Sequence, residues 1–300
     1  MKLKLGLPTG SLQEATFSLF RQAGFNISLN SRSYFPAIND PDLAITMMRA
    51  QEIPRYVHDG TLDAGISGLD WITENNADVV EVADMMYSRA TANPIRLVVA
   101  VAEDSDIRTV ADLQDKTIAT ELVNVTQAYL QRHGVTAAVE FSWGATEVKV
   151  PHLVDAIAEL TETGNSLRAN KLRIVDTILE STTKLHANRA AWADPSKRQK
   201  LEDLSVLLQG ALRARSKVGL KMNLPEAGLG NVLRALPDGK KPTISKLVDS
   251  VTSDDESENP AAWVALEVIL ENVQVRDLIP VLRAAGAQDI IEYPLLKVIP

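Results

Sequence analysis

Short apolar runs that end at glycine or polar turns alternate along this chain with amphipathic stretches of helical length. In the first third, "KLGLP" precedes "SLQEATFSLFRQAG", and the pattern resumes after Asn93 with "PIRLVVAVAED" and "NVTQAYLQRHG". Such alternation of strands and helices is typical of α/β folds, in which helices cover a largely parallel sheet. The sequence therefore predicts two α/β lobes.

Two short segments repeat one pattern, with one copy in each predicted lobe. "LDAGISG" at Leu62–Gly68 and "VDAIAEL" at Val154–Leu160 both place Asp-Ala at the start of a strand that runs into a turn. A duplicated lobe with a cleft between the copies would produce such a repeat. We therefore place lobe I at residues 1–93, with a return segment at about 187–212, and lobe II at residues 94–186.

The last third of the chain has a different element order. A helical pattern from Ala190 to Ser216 puts five leucines on one face. The segments after it are predicted as strand, helix, strand, strand, helix and strand. This βαββαβ order is that of ferredoxin-like domains, so the sequence predicts a separate domain at residues 213–300. An acidic segment, "TSDDESENP", interrupts that domain as a solvated loop.

Composition excludes several functional classes. The formal net charge of −8 argues against a general affinity for nucleic acid or anionic membranes, because both attract basic proteins. Cysteine is absent, which excludes disulfides, thiolate catalysis and thiolate metal sites. The opening residues contain no apolar stretch of signal-peptide length, and no later segment is long enough to span a membrane. We therefore expect a cytoplasmic globular protein that binds any phosphate locally.

The segment "AELTETGNSLRAN" (Ala158–Asn170) contains the strongest candidate site. Small or polar residues separate a strand pattern from a helical pattern there: Thr161, Glu162, Thr163, Gly164, Asn165 and Ser166. Hydroxyls and amides around a glycine can hold an anion, because the first N–H groups of a helix have no partner inside it. The alternative is an ordinary helix start, with Ser166 as N-cap and Gly164 as turn residue.

Two acidic residues favour a binding site over a plain turn. Asp155 and Glu159 lie four residues apart on the strand before the turn, so alternation directs both carboxylates to one face. We expect both to approach whatever the turn holds. Acids repel a phosphate unless they bind sugar hydroxyls or a magnesium ion. Phosphate and ribose together indicate phosphoribosyl diphosphate as the ligand.

Weaker candidates lie in lobe I. The stretch "GLPTGSLQEA" follows a strand and begins a helix, so Gly10 and Ser11 offer a second amide site, with a capped helix as the alternative. Arg49 could clamp a polyphosphate, although exposed salt bridging is the usual fate of such an arginine. Asp70 follows a strand end, which is where α/β folds place ligands. The four histidines show no metal-binding spacing.

Longer motifs resemble one enzyme family. "GLPTGSLQ", "RAQEIPRYVHDGTLDAGISGLDWI", "GATEV" and "DAIAELTETGNSLRANKLRIVDTILEST" are similar to segments of ATP phosphoribosyltransferase in its long form, and the likeness covers nearly the whole chain. The resemblance implies a catalytic core of two lobes like those of periplasmic binding proteins, with an ACT-like C-terminal regulatory domain. It also implies magnesium dependence, feedback inhibition by histidine, and assembly into dimers and hexamers. The implied reaction is the first step of histidine biosynthesis, in which ATP and phosphoribosyl diphosphate give phosphoribosyl-ATP and pyrophosphate.

The resemblance also assigns roles to the candidate residues. Asp155 and Glu159 become the catalytic acids, which contact the ribose or magnesium. The phosphoribosyl diphosphate would lie on Thr161, Glu162, Thr163, Gly164, Asn165, Ser166 and Leu167. The ATP would lie against Gly10, Ser11, Arg49, Leu69 and Asp70. In the polar turn "KPTISKLV", the residues that would help to bind histidine are Thr243 and Ser245.

Departures from the family pattern leave alternatives open. Thr9 and Ser11 stand where many family members have lysine and arginine, and Arg49 or Arg32 could supply the missing positive charge. The segment "EVKVPHLVD" is one residue shorter than its family counterpart, which bears on the geometry of Glu147. A non-catalytic two-lobed sensor or a weakly active regulatory paralogue would fit the same lobes. A tail that only assembles the oligomer is the alternative to a histidine site.

Overall fold

The computed structural model describes residues 2–29, 33–87, 94–247 and 262–300. The chain forms two compact units, Met1–Gln209 and Gly210–Pro300. Arg32 and the acidic segment "TSDDESENP" lie outside the described residues.

Helices and strands alternate through the first unit and continue in a different order through the second. The helices are α1 (Gln13–Ala23), α2 (Ile53–His58), α3 (Leu69–Glu74), α4 (Val123–Arg132), α5 (Asn165–Ala169), α6 (Arg189–Ala193), α7 (Pro195–Ala214), α8 (Leu229–Ala235) and α9 (Asn272–Ala284). The strands are β1 (Leu3–Thr9), β2 (Ile27–Ser28), β3 (Ala37–Ile38), β4 (Leu43–Arg49), β5 (Ala64–Gly68), β6 (Val80–Met85), β7 (Ile95–Ala102), β8 (Thr117–Thr120), β9 (Ala138–Phe141), β10 (Ala156–Thr161), β11 (Leu172–Ser181), β12 (Thr183–Ala187), β13 (Lys217–Pro225), β14 (Thr243–Lys246), β15 (Trp263–Glu271) and β16 (Gln288–Pro294). Short 3-10 turns occur at Gly10–Leu12, Val110–Leu113, Thr146–Lys149 and Glu226–Gly228.

Two five-stranded sheets of matching topology form the first unit. The sheet of lobe I has the order β4-β1-β5-β12-β6, and the sheet of lobe II has the order β9-β8-β10-β7-β11. In each sheet the first three strands are parallel, and the fourth runs antiparallel to both of its neighbours. The central strands β5 and β10 therefore occupy equivalent places. The predicted pair of α/β lobes is confirmed.

Alternation along a strand explains how each sheet builds its core. In β1, the side chains of Leu3, Leu5 and Leu7 point to one face of the sheet and are almost completely buried. Helix α1 follows at once and buries its own apolar side, including Phe20. It is capped by Gly24, whose φ of 102° is a left-handed conformation that glycine adopts without strain.

An aspartate at the start of each central strand performs the same structural task. The Asp63 carboxylate accepts a hydrogen bond from the backbone N–H of Lys4 at 2.8 Å. The Asp155 carboxylate accepts one from the backbone N–H of Thr117, also at 2.8 Å. Each bond joins the central strand to the start of its parallel neighbour, β1 or β8. The repeat in the sequence therefore corresponds to equivalent positions in the two sheets.

Helix α7 is attached to the starts of the lobe I strands through two lysines. Lys197 Nζ lies 2.7 Å from Asp63 Oδ1, and Lys200 Nζ lies 2.7 Å from Asp40 Oδ2. These pairs are mostly shielded from solvent, so they are less screened than typical surface ion pairs. They hold α7 at the end of the sheet opposite to the carboxyl ends of β1, β4 and β5.

The prediction of one continuous helix from Ala190 to Ser216 is wrong. The segment forms α6 and α7, separated at Asp194, because Pro195 has no backbone N–H to continue α6 and instead begins a new helix. With 20 residues, α7 is the longest of the described helices. Neither it nor any other described helix is long and apolar enough to cross a membrane.

The second unit is a four-stranded antiparallel sheet with α8 and α9 packed on one face. Its strand order, β14-β15-β13-β16, is the ferredoxin-like order, so the βαββαβ prediction is confirmed. Leu220 of β13 and Leu266 of β15 pack with Leu282 of α9 in its core. On the other face, Gly219 leaves room for the ring of Tyr293, because a Cβ there would lie 2.2 Å from Tyr293 Cζ.

Candidate active site

A cleft of about 570 Å³ in the first unit is lined by residues from both lobes. The carboxyl ends of β1, β4 and β5 reach it from lobe I, and the end of β10 reaches it from lobe II. This is the position at which open α/β sheets place their ligands. The candidate residues that line it are Gly10, Ser11, Arg49, Asp70, Thr161 and Glu162.

The loop after β10 is shaped by its own side chains. The backbone N–H of Gly164 donates to Thr161 Oγ1 at 2.8 Å, which folds the chain back just after the strand ends. Gly164 has a φ of 73°, which is strained for any residue with a Cβ. The guanidinium of Arg168 donates to the carbonyl oxygen of Thr163 at 3.0 Å and also to the side-chain oxygen of Asn165. These contacts fix a compact turn with a cation beside it.

The side chain of Ser166 is already engaged in this loop. Its hydroxyl donates to Glu147 Oε1 at 2.5 Å, and Glu147 belongs to the 3-10 turn at Thr146–Lys149. Leu167, the last residue predicted to touch phosphate, has its side chain buried in the core of lobe II. Only its backbone can therefore serve a ligand.

Glu159 lies two residues before Thr161 on the same face of β10, roughly 7 Å along the strand. Its carboxylate accepts hydrogen bonds from the hydroxyl of Thr146 and from the backbone N–H of Leu160. Burial raises the pKa of Glu159, and the nearby carboxylates of Glu147 and Glu121 raise it further, against the hydrogen bond from Thr146. A half-buried acid next to the loop fits a role in contacting a ribose or a cation.

Asp155 does not meet the expectation that it approaches the loop. It precedes β10, and Thr161 ends that strand, so the two lie roughly 20 Å apart at the normal rise of a strand. Alternation does direct Asp155 and Glu159 to one face, but four residues of extended chain separate them along it. The Asp155 carboxylate instead accepts the hydrogen bond from Thr117 that ties β10 to β8. The structure gives this residue a place in the sheet, away from the cleft.

The first turn of lobe I, at Gly10–Leu12, is more open than the loop after β10. Gly10 has a φ of 77°, and no atom lies within 4 Å of the place that a Cβ would take, so the turn faces free space. Thr9 and Arg49 are paired residues at the ends of β1 and β4, and Arg49 is exposed. Burial raises the pKa of Glu121 in lobe II, and the charge of Arg49 lowers it by a smaller amount. Arg49 thus brings a positive charge next to Thr9, at the start of a turn that has no basic residue of its own.

Asp70 is the most deeply buried of the candidate acids, with 1% of its surface exposed. The hydroxyl of Ser181 donates to Asp70 Oδ1 at 2.7 Å, and the Asp70 backbone N–H donates to Ser181 Oγ at 3.0 Å. Burial raises the pKa of Asp70, and the hydrogen bonds, first that of Ser181, oppose the rise. Gly68 makes this arrangement possible, because a Cβ there would lie 1.9 Å from Asp70 Oδ1. Leu69, by contrast, uses its N–H to bond the carbonyl of Thr182 and is not among the residues that line the cleft.

Comparison with known sequences shows the family. The ATP phosphoribosyltransferase family model matches residues 49–210, and the model of the HisG C-terminal domain matches residues 214–297. ATP phosphoribosyltransferases from Pelotomaculum thermopropionicum and Desulforudis audaxviator are each 67% identical to the chain over 300 residues, the full length of both proteins. The chain belongs to the ATP phosphoribosyltransferase family.

A solved structure supports the same assignment. The ATP phosphoribosyl transferase (HisG:HisZ) complex from Thermotoga maritima contains a chain that is 27% identical, with a TM-score of 0.60. The match covers 69% of this chain and 98% of the other. The predictions of family, of fold class and of phosphoribosyl transfer are thereby confirmed.

Sequence reasoning missed Ser181, which lines the cleft, and two arginines next to the loop after β10. Ser181 donates a hydrogen bond to Asp70 although the two residues are 111 positions apart in the sequence. A single sequence does not reveal contacts between residues so far apart. Arg96 of β7 is paired with Thr161, so it stands beside the start of the loop. Arg168 lies within the quoted motif, and its spacing of three residues from Asn165 could have indicated a contact between the two.

The two residues expected to bind histidine lie in the second unit. Thr243 and Ser245 belong to β14, an edge strand of the four-stranded sheet, and all four residues of this strand are exposed. They are paired with Glu267 and Ala265 of β15. Their hydroxyls are therefore accessible to a ligand or a partner.

Proposed function

We propose that this cleft joins ATP to phosphoribosyl diphosphate, with the two substrates held by different lobes. The 5-phosphate lies on the turn from Thr161 to Ser166 and on the backbone of Leu167, and ATP lies against Gly10, Ser11, Arg49 and Asp70. The observation that carries the proposal is a single cleft lined both by the end of β10, at Thr161 and Glu162, and by Asp70 after β5. Leu69, which does not line the cleft, contributes by placing Asp70 at the start of α3.

The reaction needs no protein nucleophile. N1 of the adenine ring attacks C1 of the ribose, the N1–C1 bond forms, and the bond from C1 to the pyrophosphate oxygen breaks with inversion. Positive charge develops on the sugar while negative charge leaves with pyrophosphate, so the protein acts by positioning and electrostatics. Glu159 is close enough to the loop to face the ribose, and the loop amides hold the 5-phosphate in place.

Enzymes of this kind use a divalent metal, and we infer that it is Mg²⁺. When bound, it neutralises the departing pyrophosphate. Within the described residues, no group of three or more acidic or histidine side chains could hold a metal by itself. Mg²⁺ often binds through one or two carboxylates together with substrate phosphates. Glu159, with Glu121 and Glu147 nearby, fits that pattern, and Asp155 does not, since it lies at the other end of β10.

A direct assay tests the activity of the purified chain. Incubation with ATP, phosphoribosyl diphosphate and Mg²⁺ should give an adduct that absorbs at longer wavelength than ATP. Omission of each component in turn should abolish the change. Absence of any adduct from the complete mixture would instead favour a non-catalytic sensor.

We infer that the second unit, which contains the domain predicted at residues 213–300, is a regulatory domain that binds histidine through Thr243 and Ser245. Hydroxyls on an exposed edge strand can meet the ammonium and carboxylate of a free amino acid. The effect on the cleft would be an inhibition that is not simply competitive with ATP, with a coupling of roughly 1 to 3 kcal/mol. Calorimetry with histidine on the full chain and on a folded chain that ends near Ser216 decides this. Binding to both chains, or to neither, refutes a histidine site in the second unit.

The assembly is a further part of the proposal. We expect dimers and hexamers of this chain, with the second unit contributing contacts between copies. Sedimentation velocity of the full chain, with and without histidine, measures the assembly directly. A monomer under all conditions would contradict it.

A further inference from the structure

Helix α3 belongs to lobe I by sequence, yet it is packed against lobe II. It follows β5 directly, and its first turn carries Asp70 and Trp71 into the cleft. The Trp71 side chain packs on the apolar core of lobe II, which is built from β7, β8, β10 and α4. A six-residue helix therefore spans the two lobes at one wall of the cleft.

The last residue of α3, Glu74, is bound to the start of α4 in lobe II. Glu74 Oε1 accepts a hydrogen bond from the backbone N–H of Asn124, and Glu74 Oε2 accepts one from the backbone N–H of Val125, each at 3.0 Å. In the reverse direction, Asn124 Nδ2 donates to the backbone carbonyl of Glu74 at 2.8 Å. We call this set of three bonds the Glu74 clasp.

The chemistry of the clasp makes it stronger than an ordinary surface contact. A carboxylate that binds two amide N–H groups makes charge-assisted hydrogen bonds, which are shorter and stronger than neutral ones. The N–H groups belong to the first turn of a ten-residue helix, where they have no acceptor inside the helix and where the helix dipole favours negative charge. Glu74 is half-buried and Val125 is buried, so water competes only partly for these bonds.

The position of the clasp connects it to the reaction. Asp70 and Glu74 lie four residues apart on α3, which is about one helical turn. Any displacement of α4 relative to lobe I would therefore move α3 and, with it, the cleft wall that contains Asp70 and Trp71. Lobe II also carries the loop at Thr161–Ser166. The clasp therefore connects the wall of the cleft that contains Asp70 to the lobe that contains this loop.

We propose that Glu74 is a positioning residue, which fixes the distance between the ATP side and the phosphoribosyl side of the cleft. This inference rests on the proposed division of the two substrates between the lobes. Each substrate binds mainly to one lobe, so loss of the clasp leaves binding of either substrate alone almost unchanged. Turnover falls, because N1 and C1 no longer meet at a reactive distance.

The substitution Glu74→Gln in the full chain tests the proposal. Glutamine can accept only one of the two N–H bonds and has no charge, so the clasp is weakened with little change in volume. We expect kcat to fall about tenfold, while the Kd of ATP alone and of phosphoribosyl diphosphate alone each stay within about threefold of the parent values. Asn124→Ala, which removes only the third bond, should give a smaller effect in the same direction. Glu140→Gln removes an exposed charge from β9 of lobe II and is the matched control.

Hydrogen exchange gives a readout that does not depend on activity. The backbone amides of Asn124 and Val125 should exchange faster in Glu74→Gln than in the parent, whereas those of the loop at Thr161–Ser166 should not change. An unchanged kcat together with faster exchange at Asn124 and Val125 would overturn the proposal. So would a parallel loss of affinity for both separate substrates, since that indicates general damage to the fold.

The outcome is separable from that of the proposed substrate sites. Gly164→Val and Asp70→Asn test which residues bind phosphoribosyl diphosphate and ATP. If those substitutions leave both affinities unchanged, the assignment of the cleft residues fails. The Glu74→Gln variant then still decides whether the clasp supports turnover.

Discussion

Strands β5 and β10 occupy equivalent places in the two sheets. The starts of the two strands are alike, but their carboxyl ends are not. At the starts, Asp63 and Asp155 make the same bond to the neighbouring parallel strand, at the same distance of 2.8 Å. At the carboxyl ends, β5 continues into α3 with the buried Asp70, whereas β10 continues into the loop around Gly164. The starts of the two central strands are thus equivalent, whereas their carboxyl ends, where they enter the cleft, are built differently.

The two carboxyl ends are also stabilised in different ways. The loop after β10 is held by contacts among Thr161, Thr163, Gly164 and Arg168, all within eight positions of one another. Asp70, after β5, is held by Ser181 from another strand. A site built from neighbours in sequence tolerates little local change, while a site built from distant residues depends on the packing of both sheets.

The largest expected effect comes from Gly164→Val. A valine at a φ of 73° is strained, and its Cβ would lie 3.1 Å from Arg168 Nη1. We expect loss of two or three charge-assisted hydrogen bonds to the phosphate, at roughly 1.5 to 3 kcal/mol each, and hence a thousandfold or greater loss of affinity for phosphoribosyl diphosphate. Gly134→Val is the matched control, because Gly134 has a similar φ of 68° and no atom within 4 Å. Near-normal affinity in Gly164→Val would refute the phosphate loop.

Asp70→Asn should give the next largest effect and separates stability from function. Burial raises the pKa of Asp70 above its ordinary value, so the charged carboxylate is disfavoured in the folded state. The stability that Asp70 contributes is present below pH 3.8 and is lost as the pH rises through the folded pKa. The asparagine variant should therefore unfold at higher temperature than the parent at pH 7, with the difference disappearing towards pH 3.8.

The activity of Asp70→Asn should change in the opposite direction. We expect kcat/KM for ATP to fall roughly tenfold to a hundredfold, the range for one hydrogen bond to a charged group. Calorimetric unfolding at several pH values and steady-state kinetics provide the two measurements. A variant that is neither more stable nor less active at pH 7 would contradict the assignment of a ligand role to this buried carboxylate.

Glu159→Gln should have a moderate effect on rate. The substitution keeps the size and the hydrogen bond from Thr146 but removes the charge that we propose to face the ribose. We expect kcat to fall about tenfold with a smaller rise in KM, since the charge acts mainly on the transition state. Steady-state kinetics with varied phosphoribosyl diphosphate measures both. An unchanged kcat would leave Glu159 with a structural role only.

The smallest effects should come from the starts of the strands. In Asp155→Asn the amide oxygen can still accept from Thr117, so we expect a loss of about 1 kcal/mol in unfolding free energy and an unchanged kcat. Asp63→Asn should cost more, because Asp63 also pairs with Lys197. Urea denaturation of the two variants compares the equivalent positions directly. A reduced kcat in Asp155→Asn would show that this residue acts at the cleft after all.

The features that sequence could predict are those encoded by neighbouring residues. Strand alternation, the turn around Gly164 and the βαββαβ order of the second unit all have periods or spacings that a single sequence displays. Asp155 was placed with the loop because alternation gives the face of a strand but takes no account of distance along it. The break before Pro195 was missed because the leucine spacing continues through α7, although the proline itself was a visible signal. Ser181 and Asn124 could not be found, since their partners lie in other elements and only the assembled sheets bring them together.

Helix α7 determines where this chain can be cut or recombined. It starts at Pro195, with Lys197 and Lys200 attached to lobe I, and ends at Ala214, five residues beyond Gln209, where the first compact unit ends. A protein truncated at Gln209 would lack the last five residues of α7. A fusion joined at Gln209 would fold only if the added segment continued the helix in register. The turn at Arg215 and Ser216 lies after the helix and before β13. A junction for exchanging the C-terminal module between related proteins therefore belongs at that turn, where it interrupts neither α7 nor β13.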